Sequence, residues 1–139
     1  MTSPELVRLL RDAALAKKAR DVVAIDLRKK SSMADFFVIC EGDTDRQTRA
    51  IADAVQAVAR ERGIRPFHVS GEADGAWILI DFIEVIVHVF LPGERAFYDL
   101  ESLWTTEAMT ELAQTRARRG SRLAKPAATA RVKRSARTA

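Results

Sequence analysis

Residues 76–90 constrain the fold more than any other stretch: Ala76-Trp77-Ile78-Leu79-Ile80-Asp81-Phe82-Ile83-Glu84-Val85-Ile86-Val87-His88-Val89-Phe90. They contain no Gly, Pro, Lys or Arg, and most are β-branched or aromatic. That composition suits strands buried on at least one face. The run is too long for one ordinary strand, and Asp81 and Glu84 flank a plausible reversal. The reading is two antiparallel strands joined by a tight turn at Phe82-Ile83. Two registers stay open. A two-residue turn sets Trp77 opposite His88, Leu79 opposite Ile86 and Asp81 opposite Glu84. A three-residue turn moves His88 to the other face, with Ile78 and Ile80.

The rest of the chain supplies elements to cover or extend this hairpin. Thr2-Ser3-Pro4-Glu5 reads as a helix start, with a hydroxyl cap, Pro in the first turn and Glu three residues after Thr2. Leu6, Leu10, Ala13 and Ala14 continue the helix to about Lys17. Residues 21–27 and 35–40 read as strands, the second apolar enough to be central. Thr44 with Gln47 fits a capping box for a helix whose stripe is Ala50, Ile51, Ala54, Val55 and Val58, stopped at Gly63. Residues 65–69 form an edge strand, because Pro66 cannot complete a ladder. After the hairpin, Phe97, Leu100, Leu103 and Trp104 space as one face of a short helix, with Tyr98 and Glu101 off that face. Residues 106–114 extend it by a turn or two. The expected fold class is α/β, a single domain with a mixed sheet of about five strands, order α-β-β-α-β-β-β-α, over residues 1–114.

Charge divides the chain. Residues 115–139 hold nine basic side chains (Arg116, Arg118, Arg119, Arg122, Lys125, Arg131, Lys133, Arg134, Arg137) and no acid. Residues 1–114 hold 14 basic and 19 acidic ones, a net −5, so the overall +4 belongs to the tail. The tail shows no apolar period and reads as disordered. It lacks an aromatic residue for base stacking, so any RNA contact it makes is weak and non-specific. The lone Cys40 cannot close an intramolecular disulfide. No apolar run approaches membrane-span length and no signal peptide is visible, so the expected location is cytoplasmic.

Candidate chemistry is sparse. Asp43-Thr44-Asp45 has the spacing of a divalent-metal pair, but both acids equally suit a helix N-terminus, and capping is the preferred reading. Cys40, His68 and His88 fall on three different strands, without zinc-ligand spacing. Cys40 reads as an inert core residue, and His88 as structural. Trp77, Tyr98 and Trp104 include both tryptophans and the only tyrosine, residue types enriched at interface hot spots. An interaction module without a catalytic constellation, metal or cofactor is the reading that the residues support.

Several stretches, taken in this order, resemble the ribosomal silencing factor (RsfS, or Iojap) family across about residues 5–105. They are Lys17-Lys18-Ala19-Arg20-Asp21-Val22-Val23, Asp26-Leu27, Ala34-Asp35-Phe36-Phe37-Val38-Ile39-Cys40, Arg46-Gln47, Gly71-Glu72, Gly75-Ala76-Trp77-Ile78-Leu79-Ile80-Asp81, Val85-Ile86-Val87-His88-Val89-Phe90 and Arg95-Ala96-Phe97-Tyr98-Asp99-Leu100-Glu101-Ser102-Leu103-Trp104. The resemblance implies a domain shaped like nucleotidyltransferases but without their activity. It also implies binding to the large ribosomal subunit through ribosomal protein L-fourteen, obstruction of subunit joining, and hence translational repression. The contact surface it implies is Trp77, Tyr98, Leu100, Glu101, Leu103 and Trp104, with Arg95 and Asp81. The turn lacks the glycine often seen there in relatives. Two rivals stand beside this reading: a nucleotidyltransferase using Asp43, Asp45 and Asp81, and an RNA-binding module driven by the tail. An exposed aromatic surface also makes a homodimer of the free chain an expectation.

Overall fold

The computed structural model describes residues 1–103. The sheet and its helices lie in one compact unit, Met1–Tyr98, and a second unit begins at Asp99. Helix α1 (Ser3–Ala16) starts as its sequence dictates. Thr2 Oγ1 accepts the Glu5 N–H, and the Glu5 carboxylate accepts the Thr2 N–H at 2.8 Å. Strand β1 (Arg20–Asp26) pairs antiparallel with β2 (Phe36–Glu41), and β2 runs parallel to β5 (Val85–Phe90). Helix α2 (Asp45–Glu61) follows β2. The short β3 (His68–Ser70) and β4 (Trp77–Asp81) complete the sheet, in spatial order β1-β2-β5-β4-β3. The mixed five-stranded sheet is thus the one expected, with β3 at an edge.

Strand alternation sorts the sheet into two faces. On one, Val38 and Cys40 of β2, Ile78 and Ile80 of β4, and Val85, Val87 and Val89 of β5 join Leu10 and Ala14 of α1 and Ile51 and Val55 of α2 in the core; all of these are fully buried. The second face carries Phe37, Ile39 and Glu41, then Ile86, His88 and Phe90, then Trp77, Leu79 and Asp81.

Three local expectations are corrected. The hairpin turn lies one residue later, at Ile83-Glu84: the Phe82 N–H donates to the Val85 carbonyl at 2.9 Å, and Trp77 stands opposite Phe90. His88 is opposite Leu79, so it keeps the Trp77 face but sits diagonally from the indole. Asp81 Oδ1 accepts the Ile83 N–H at 2.7 Å, and Ile83 takes φ 75°; the side chain of Asp81 supports a conformation for which glycine is the usual solution. In the second, the Thr44–Gln47 capping box is half made. Thr44 Oγ1 accepts the Gln47 N–H, but the Gln47 side-chain oxygen takes the Asp43 N–H instead of its own cap residue's.

The helix expected across residues 97–104 is the third. The chain forms α3 (Pro92–Tyr98) and α4 (Leu100–Leu103), broken at Asp99, whose φ is 45°. Pro92 opens α3 where its missing N–H costs nothing. Asp99 then stops it, with a carboxylate that accepts the Ser102 hydroxyl at 2.6 Å and serves α4 instead. The stretches 106–114 and 115–139 lie outside the described residues.

Candidate functional site

The second sheet face gathers an aromatic cluster where β4, β5 and α3 meet. Trp77 and Phe90 are directly opposite across the β4–β5 ladder, with ring centroids 5.0 Å apart. Tyr98, the last residue of α3, lies 4.6 Å from the Trp77 ring on centroids and meets Phe97 edge-on at 5.0 Å. Trp77 and Tyr98 are half-buried, whereas Phe97 is 80% exposed. Such tilted and edge-on pairs suit the ring quadrupoles and hold large apolar area in a defined shape. Below them, the Trp77 Nε1–H donates to His88 Nδ1 at 3.1 Å. His88 is buried, and desolvation holds its imidazole down at about 3, so the ring is neutral at ordinary pH.

The expected off-face position of Tyr98 is reversed. With the helix broken at Asp99, α3 turns Tyr98 onto Trp77 and leaves Phe97 outward. Charge fixes α3 in place. Arg95 is buried, and its guanidinium donates to Glu41 at 3.2 Å; the other Glu41 oxygen is 3.0 Å from Arg20, which also pairs with Asp43. A buried carboxylate between two guanidiniums meets the requirement that buried charge be paired. Glycine fixes the other border. Gly71 has φ 84°, and a Cβ there would lie 1.9 Å from the Trp77 carbonyl oxygen, so only glycine lets the preceding turn pass this close to the start of β4.

The remaining residues singled out in the sequence fall elsewhere. Asp81 is on the Trp77 face but at the far end of β4, about 13 Å along the strand. Leu100, Glu101 and Leu103 belong to α4, in the second unit, and Trp104 lies outside the described residues. Asp43 is held by Arg20, and Asp45 by Arg49 at 2.8 Å on the next turn of α2. No group of three metal-ligating side chains occurs among the described residues. Cys40 is buried, and burial pushes its thiol up to about 12, which keeps it a thiol. Sequence reasoning missed Phe90 and Glu41 as members of this neighbourhood. The parity of 77, 79 and 81 against 86, 88 and 90 carried the signal for Phe90, once the register was known.

Among the described residues, this geometry offers a shaped aromatic surface. The family model described as "Ribosomal silencing factor during starvation" matches residues 1–138. The chain is 43% identical over 112 residues to the ribosomal silencing factor RsfS of Halalkalibacterium halodurans, covering 81% of this chain and 96% of that one. It is 31% identical over 109 residues to the mouse protein named mitochondrial assembly of ribosomal large subunit protein 1, covering 76% of this chain and 46% of that one. A crystal structure of a Chromobacterium violaceum protein, 35% identical, superposes with a TM-score of 0.73 over 75% of this chain and 87% of that one. The shared fold and the shared sequence lead to one assignment: the chain belongs to the ribosomal silencing factor (RsfS) family.

Proposed function

We propose that this protein docks on the large ribosomal subunit through ribosomal protein L-fourteen, where its bulk obstructs joining of the small subunit and represses translation. Steric exclusion needs placement and binding energy, and no chemical step. The observation that carries the reading is the Trp77–Tyr98 pair, half-buried and 4.6 Å apart, beside the outward Phe97. Rigid aromatics packed from below and open above are the side chains that anchor protein interfaces. The names of the relatives, silencing factors and an assembly protein of the large subunit, support the large ribosomal subunit as the particle bound. In this reading the contact residues are Trp77 and Tyr98, together with Leu100, Glu101, Leu103 and Trp104 and with Arg95 and Asp81; Arg95 also ties α3 to Glu41.

Trp77→Ala and Tyr98→Ala are each expected to weaken co-sedimentation with purified large subunits about 30-fold, the effect of losing a hot-spot side chain worth roughly 2 kcal/mol. Circular dichroism of both variants is expected to retain the native fold. Wild-type affinity in both would reject the surface.

A further inference from the structure

Strand β5 is the middle strand of the sheet, and an apolar residue would occupy position 88 at lower cost than histidine. His88 is 4% exposed, and its Nε2 has no hydrogen-bond partner among the described residues. A buried N–H without an acceptor destabilises a fold, so its presence asks for a reason. The other nitrogen supplies one. Nδ1 accepts the indole N–H of Trp77, which requires a neutral ring with its proton on Nε2. Phe37 meets that ring edge-on at 4.7 Å, and Phe90 lies parallel to it at 6.1 Å, so the acceptor is held in a fixed direction. Trp77 packs on Phe90 at 5.0 Å and on Tyr98 at 4.6 Å, apolar contacts that hold the ring but offer its N–H no acceptor. The torsion that swings an indole about its Cβ–Cγ bond is broad and roughly two-fold, and a half-buried indole N–H seeks a partner.

We infer that His88 is a positioning residue: its Nδ1 fixes the Trp77 indole in the tilted orientation that packs against Tyr98 and faces the docking partner. The inference rests on the docking reading given above. Stability is given up at one buried nitrogen, and the other nitrogen selects one of two indole orientations.

Two substitutions in the whole chain separate positioning from packing. His88→Phe refills the ring volume without an acceptor. His88→Asn keeps a carbonyl oxygen close to where Nδ1 stands but leaves space behind it. The expected orders are opposite. His88→Phe melts at or above the wild-type temperature while its affinity for purified large subunits falls about tenfold; His88→Asn melts lower yet binds within about threefold of wild type. A residue that only packs would make affinity follow stability, and wild-type affinity in His88→Phe overturns the inference. Nitrogen NMR of the unsubstituted protein gives a reading that does not depend on either variant folding. The expected result is an unprotonated His88 Nδ1 and a slowly exchanging Trp77 indole proton; a proton on Nδ1 overturns the inference. Trp77→Ala distinguishes the two levels. If it binds like wild type, the docking reading fails and the inference falls with it. If it binds weakly while His88→Phe does not, only the inference fails.

Discussion

At His88, burial turns into a dependence of folding on pH. The imidazole ionises near 6.5 in the unfolded chain and is held down at about 3 in the fold, because desolvation penalises the imidazolium. Between those values the unfolded chain binds a proton that the native one does not. The stability in question is therefore fully present above about pH 6.5 and is lost as pH falls toward about 3. The expected contribution to the slope approaches about 1.4 kcal/mol per pH unit within that window. Urea unfolding of wild type and His88→Phe across it should differ in slope by close to one proton, and equal slopes would refute the assignment. Ile83 is a second residue with a measurable cost. A β-branched side chain at φ 75°, 62% exposed, gains little by packing, and the Glu84 N–H bonds back to the Phe82 carbonyl to close a three-residue turn around it. Ile83→Gly is expected to raise stability by about 1 kcal/mol, read as a shift in the urea midpoint at unchanged m-value. The same residue explains what the sequence hid. The two strands were legible from their composition, but the turn carries no glycine. Only the Asp81 carboxylate, reaching the Ile83 N–H, reveals where the reversal lies.

At the scale of elements, α3 shows what periodicity reads and what it misses. Its apolar spacing with α4 looked like one helix face, yet the face that matters runs from Arg95 to Tyr98, one polar and one aromatic residue three apart. Glu41 is the last residue of β2, and nothing in the local sequence says that a strand-end carboxylate will clasp a helix 54 positions on. Tertiary partners of this kind leave no periodic trace. The clasp has an energetic consequence: removing one partner of a buried pair leaves the other charge uncompensated. Glu41→Gln is expected to cost roughly 3 kcal/mol in thermal or urea unfolding, tempered because Arg20 at the same carboxylate is half exposed. It should also loosen α3 and so lower affinity for the large subunit. Glu41→Met with Arg95→Met should recover much of the stability, since the unpaired charge is gone. A single Glu41→Gln variant as stable as wild type would mean that the clasp holds nothing.

For the whole molecule, the fold class and element order were readable because apolar alternation and helix caps agree with each other over the first hundred residues. Of the aromatic face, Trp77 and Tyr98 were readable; their neighbours Phe90, His88 and Glu41 emerge from register and packing. The division of charge was plain from the start, and it bears on how an acidic body reaches a particle rich in RNA. A net −5 over residues 1–114 is repelled by phosphate, whereas nine basic residues in 115–139 are attracted to it. If docking is a protein contact made by the body, the tail adds a second, weaker attraction that shortens the search and raises effective concentration. Neutralising phosphates releases counterions, so this contribution alone falls steeply with salt. Replacing the nine basic residues of the tail by Gln in the whole chain is therefore expected to weaken large-subunit binding several-fold at about 50 mM salt, with the two proteins converging as salt rises toward about 300 mM. The slope of log affinity against log salt should flatten by roughly 0.7 for each phosphate that the tail no longer neutralises. Trp77→Ala in the same titration should lower affinity by the same factor at every salt concentration, because desolvated aromatic packing is insensitive to screening. If the Gln-substituted chain instead loses binding at all salt concentrations, the tail is the principal binder and the aromatic face is not the docking surface.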